Sequence, residues 1–131
     1  MLLDSTFLID LLWRTDKKAL QKAKELDQHS ELKIISSLSV LELWRGSLRS
    51  VHQEREKQKI DELLQSLVVY PVDELVAKKA AEIEAYLLEQ GSMIDLEDIM
   101  IAAVALVHHE AILTRNEHHF GRIAGLKVVG Y

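Results

Sequence analysis

Cysteine is absent from the 131 residues, proline occurs once and glycine five times. Without thiols there can be no disulfide scaffold, no thiol nucleophile and no cysteine-ligated zinc or iron–sulfur centre. So little proline and glycine excludes a collagen-like or low-complexity chain, and 48% hydrophobic content excludes disorder. Long apolar runs are missing too. The longest is Ile99 to Val107, far short of the ~20 residues a membrane-spanning helix needs. The opening stretch from Met1 to Trp13 is apolar, but it includes Asp4 and Asp10 and no basic side chain, unlike a secretory signal. The expectation is a soluble, cytoplasmic chain with no membrane partner, folded as one domain over residues 1–131. A domain of that size buries roughly 68% of the surface its unfolded chain exposes.

An excess of basic charge is also lacking. Lys and Arg number 16 against 21 Asp and Glu, a net charge of −5. Phosphate binding is normally driven by positive excess, so the balance taken whole argues against a nucleic-acid binder. Its distribution weakens that argument. Residues 1–66 hold 11 basic and 11 acidic side chains, whereas residues 67–131 hold 5 and 10. Between Arg14 and Lys59, 11 basic residues stand against 7 acidic ones, which reads either as solvated helix surface or as a ligand-facing patch.

Apolar runs and periodic stretches alternate along the chain. Met1–Leu3 reads as a buried strand, and Ser5 and Thr6 can cap a helix through Phe7, Leu8, Leu11 and Leu12 to Trp13. An amphipathic helix follows from Asp16 to Gln28, then a strand over Leu32–Ser36. Ser39 and Glu42 form a Ser-x-x-Glu capping box, predicting a helix that starts there and runs towards Arg49, with Gly46 allowing close packing. On this helix Leu38, Leu41, Trp44 and Leu48 follow helical spacing and read mostly as core, with Trp13 and Trp44 as candidates for a partner surface. A charged helix spans His52 to Leu67, and Leu67–Pro71 is a short strand. Asp73 caps a helix to Glu89 that Gly91 terminates. Leu96 to Val107 is apolar on nearly every side after Asp98, hence a central buried helix that the pair His108 and His109 ends. Ala111–Thr114 and Lys127–Val129 complete the strands. Such alternation predicts an α/β fold, a three-layer α/β/α sandwich around a short, mostly parallel sheet.

In open sheets of this kind ligands bind beyond the carboxyl ends of the strands. Asp4 follows the first strand directly, Glu42 lies in the helix after the second, Asp98 starts the buried helix with Asp95 before it, and Thr114-Arg115-Asn116 follows the fourth strand. Each acid alone has a structural explanation, because helix N-termini favour carboxylates through their dipole and unpaired N–H groups. Together they are harder to explain. Two carboxylates about 4 Å apart repel by ~4 kcal/mol at an effective dielectric near 20. Three would shift their pKa values upward or splay unless a cation lay among them. An oxygen-only donor set favours Mg²⁺ or Mn²⁺ over zinc, ions suited to phosphoryl chemistry.

The blocks MLLDSTFLIDLL, SSLSVLELWRG, LEDIMIAAVAL and ILTRNEHHFGRI, in that order, resemble the PIN-domain family and in particular VapC-like toxins, the ribonucleases of type II toxin–antitoxin systems. They span residues 1 to about 126. The resemblance implies an Mg²⁺- or Mn²⁺-dependent endoribonuclease whose acids are Asp4, Glu42 and Asp98, all three metal ligands. The family's position after Thr-Arg falls on Asn116, and its further acid before the Phe falls on His119, so neither supplies a carboxylate and occupancy by a second ion is put in question. Thr6, Asp95, Thr114, Arg115 and His119 take supporting or substrate-positioning places, and Asp10 either a structural place or one behind the ligands. Basic residues Arg14, Lys17, Lys18, Arg45, Arg49, Arg115 and Arg122 could contact the RNA backbone. The resemblance also implies a homodimer and a cognate antitoxin whose C-terminal segment reaches the site. Two rival readings are an RNA-processing PIN nuclease without an antitoxin, and a binding module with weakened catalysis.

Overall fold

Successive strand residues point to opposite sides of a sheet, and here neighbouring apolar residues use both sides. A computed structural model describes residues 1–14 and 16–131; Thr15 and the side chain of Arg14, one of the expected RNA contacts, lie outside the described residues. Strands β1 (Leu2–Leu3), β2 (Ile34–Ser36), β3 (Val68–Tyr70), β4 (Ile112–Leu113) and β5 (Val128–Val129) form one sheet in the order β3-β2-β1-β4-β5. Every pairing is parallel. Parallel neighbours require crossovers, which the helices supply. These are α1 (Ser5–Ile9), α2 (Lys17–Gln28), α3 (Ser37–Leu48), α4 (Gln53–Leu64), α5 (Glu74–Glu89), α6 (Leu96–Val107) and a single turn, α7 (Glu117–Phe120).

Leu2, Ile34 and Ile112 join one buried cluster with Val76, Ile83 and Leu87 of α5 and the apolar body of α6. Leu3, Ile35 and Leu113, one residue further along each strand, join a second with Phe7 and Leu8 of α1, Leu26 of α2, Leu43 of α3 and Ile60 of α4. Two cores separated by one sheet make the α/β/α sandwich that the alternation predicted. As expected, α6 is buried nearly all round, with Ile99 and Ile101 to Ala105 inaccessible. Among the described residues no helix is long and apolar enough to cross a membrane.

Local departures have local causes. The first helix is capped by Asp4, not by Ser5 or Thr6: Asp4 ends β1 with extended backbone, and its carboxylate accepts from the Ser5 N–H. That helix changes after Ile9 into a wider π-helical turn over Asp10–Arg14. The capping box at Ser39 and Glu42 does not form, because β2 runs straight into α3 and Ser36 caps it by accepting from the Leu38 N–H. Ser39 Oγ is instead buried without a hydrogen-bond partner, and Glu42 sits in the second turn. The inward stripe of α3 is Ser39, Leu43 and Ser47, at i, i+4 spacing. This turns Leu41 and Leu48 outward, 47% and 50% exposed, where core positions were expected. Gly46 faces open space, and a Cβ there would meet nothing within 4 Å. Asp73 and Gly91 behave as predicted: Asp73 caps α5 through the Val76 N–H, and Gly91 adopts φ 64° after its end.

Candidate active site

The order of the sheet reverses between β1 and β4, the place where open α/β sheets hold ligands. Asp4 and Thr114 are the first residues beyond those two strands, and both are buried. Backbone pairing carries them side by side, with the Asp4 N–H donating to the Leu113 carbonyl at 2.9 Å. Asp4 Oδ2 accepts from the hydroxyls of Thr6 at 2.8 Å and Thr114 at 2.7 Å. Oδ1 accepts from the Ser5 N–H at 2.8 Å. The Ser5 hydroxyl also lies 3.5 Å from Oδ1, so each carboxylate oxygen faces two donors. The Asn116 N–H donates to Thr114 Oγ1 at 2.9 Å, which ties the expected fourth position to the same cradle by its backbone.

Glu42 comes from α3 and Asp98 from the first turn of α6. Burial holds the Glu42 carboxyl above the ordinary carboxylate range; a hydrogen bond from Ser5 opposes this, and the charges of Asp4, Glu97 and Asp98 add to it. Asp98 is raised likewise, by burial first and then by Asp4 and Asp95. Its nearest basic group is His119, with Nδ1 3.7 Å from Oδ2. Asp95 occupies the cap position of α6 without making a capping bond, so its role there is charge and not helix termination. The acids predicted from separate blocks therefore feel one another across the tertiary structure. Glu97 belongs to the same field and was missed, although the run Leu-Glu-Asp that carries Asp98 also displays it. Arg45 lies 3.6 Å from Glu97 on the rim.

Arg115, expected at the RNA, has its guanidinium on Asp10 instead. Nη1 donates to both Asp10 oxygens, at 2.7 and 2.9 Å, and Asp10 is only 2% exposed. The Tyr131 hydroxyl donates to Asp10 Oδ2 at 2.6 Å, and its ring edge packs on Phe7 with centroids 5.1 Å apart. Burial, then the hydrogen bond to Asp10, hold the Tyr131 hydroxyl well above the phenol range. Of the other basic residues expected near RNA, Arg122 contacts His118 Nε2 at 2.9 Å. Trp13 and Trp44 border the second core, with the ammonium groups of Lys59 and Lys57 over their rings. An apolar cavity of about 140 Å³ beside Leu3, Phe7, Leu8, Leu11 and Leu26 includes none of the three carboxylates in its lining.

The donor chemistry fits a hard divalent ion. Asp4, Glu42 and Asp98 offer only oxygens, burial and then the neighbouring acids raise the proton affinity of Glu42 and Asp98, and no Lys or Arg pairs with any of the three among the described residues. As they stand they do not close on one point: among the described residues no three Asp, Glu or His side chains are grouped tightly enough to enclose an ion. Gathering them requires side-chain rotation at Glu42 and Asp98, which are both only half-buried.

The family model for the PIN domain matches residues 1–126. The chain belongs to the PIN-domain family. Among its relatives, Ribonuclease VapC2 of Haemophilus influenzae is 28% identical over 126 residues, covering 96% of this chain and 93% of that protein. The tRNA(fMet)-specific endonuclease VapC of Shigella flexneri is 32% identical over 93 residues, covering 71% and 70%. These place it with the VapC-like PIN domains. The fold agrees with that of a chain in the crystal structure of VapBC2 from Rickettsia felis bound to a promoter DNA fragment, with TM-score 0.91 at 22% identity over 99% of this chain and 97% of that one.

Proposed function

We propose that this PIN-domain chain is an endoribonuclease dependent on Mg²⁺ or Mn²⁺ and is the toxin of a toxin–antitoxin pair. The observation that carries the reading is the set of carboxylates Asp4, Glu42 and Asp98, without a Lys or Arg partner among the described residues, at the switch point of the sheet. When bound, a divalent ion supplies Lewis acidity at a phosphate oxygen and lowers the pKa of a coordinated water. Asp4 would be one ligand, with Thr6 and Thr114 holding its Oδ2 still. Glu42 and Asp98 close the set from α3 and α6. His119 stands beside Asp98, and Asn116 anchors Thr114.

Lys17, Lys18, Arg45, Arg49 and Arg122 are the basic side chains assigned to the RNA backbone, and Arg115 is assigned to Asp10. The VapC-like family membership supports an antitoxin partner, a homodimer and action in the cytoplasm. Substitution tests the site. Asp4→Asn and Asp98→Asn are each expected to lower metal-dependent RNA cleavage at least 100-fold; undiminished cleavage in both overturns the reading. Growth arrest on expression that no neighbouring gene product relieves would favour an RNA-processing nuclease over a toxin.

A further inference from the structure

We propose that Asp10 is a positioning residue which, with Arg115 and Tyr131, clamps the hydroxyl cradle of Asp4 and so sets the affinity of the site for its divalent ion. The proposal rests on the reading of Asp4 as a metal ligand.

Asp10 is the C-cap of α1 and the first residue of the π-helical turn. It holds two distant segments, Arg115 after β4 and Tyr131 after β5, 105 and 121 residues away in sequence. Both lead back to Asp4. The Arg115 N–H donates to Thr6 Oγ1 at 3.3 Å, and Thr6 Oγ1 donates to Asp4 Oδ2. Thr114, the neighbour of Arg115, donates to the same oxygen and lies 3.4 Å from Thr6 Oγ1. Pulling Arg115 onto Asp10 therefore sets the two hydroxyls that occupy Oδ2 and fixes the orientation of the Asp4 carboxylate. Groups that orient a metal ligand without touching the ion commonly change affinity by about 10–100-fold.

Mn²⁺ alone is the probe, titrated into the full chain with free Mn²⁺ read by EPR, alongside melting curves in EDTA. Tyr131→Phe removes one donor and keeps the ring on Phe7; the expected outcome is an unchanged fold with Mn²⁺ affinity about 3-fold weaker. Asp10→Asn is expected to weaken it about 10-fold. The double variant should be no weaker than Asp10→Asn alone, and cleavage by both singles should recover at about 10-fold higher Mn²⁺. Because metal can also rescue a variant that is merely destabilised, the weaker binding counts for the clamp only where the melting curve in EDTA shows the variant folded at the assay temperature. Should Asp10→Asn fail to fold, Tyr131→Phe decides: affinity within error of the parent overturns the clamp. Asp4→Asn separates the two readings. If it abolishes Mn²⁺ binding while the clamp variants bind like the parent, only the positioning role falls. If the parent itself binds no Mn²⁺, the metal reading falls and the clamp with it.

Discussion

Asp4 carries two burdens at once, cap of α1 and candidate ligand, and its two oxygens divide them unevenly. Both hydroxyls go to Oδ2, and the helix N–H goes to Oδ1. Glu42 has less support, a hydrogen bond from Ser5. Its half-buried carboxylate faces Asp4, Glu97 and Asp98, so without metal it opposes folding. Glu42→Gln removes that repulsion at nearly constant shape. Because the site is partly open to solvent, the expected gain in EDTA is about 0.5–1 kcal/mol, roughly 2–4 °C in melting temperature. RNA cleavage should fall at the same time. A calorimetric scan in EDTA showing Glu42→Gln less stable than the parent contradicts the repulsion argument. That these acids belong together was legible from their places after strands; that Thr114, 110 residues away, donates to Asp4 was not.

At the scale of elements, helix identity was readable and helix starts were less so. The pattern Ser-x-x-Glu is a sound local signal, yet Ser36 wins the cap of α3 because β2 delivers it with extended backbone, φ −74° and ψ 144°, directly before the helix. Two substitutions separate these alternatives by thermal unfolding. Ser36→Ala should cost about 0.5–2 kcal/mol, the usual loss of an N-cap. Ser39→Ala should be neutral or slightly stabilising, since its buried hydroxyl has no partner to lose. The capping box predicts the reverse order. The same displacement explains the outward Leu41 and Leu48: the face of α3 is chosen by Ser39, Leu43 and Ser47 fitting the sheet.

Over the whole molecule, the deficit of basic charge becomes conditional. On the proposed reading, three of the 21 acids stand at one edge of the sheet and repel phosphate until a divalent ion offsets them. With EDTA the chain should bind RNA poorly; with millimolar Mg²⁺ or Ca²⁺ affinity should rise at least 10-fold and keep a steep dependence on salt, measured by filter binding. Equal affinity in EDTA and in metal would show that the basic surface acts alone.

Sequence by itself determined the layers: one-residue alternation in Leu2-Leu3, Ile34-Ile35 and Ile112-Leu113 supplies two core faces, and the apolar body of α6 must be interior. It also determined that acids follow strands. Only tertiary structure decided that Arg115 turns to Asp10, that Tyr131 joins it, and that Asp4 and Thr114 are neighbours. Those contacts depend on the strand order β3-β2-β1-β4-β5. Periodicity is a local property set by backbone geometry, whereas strand order is settled by how all the crossovers pack at once.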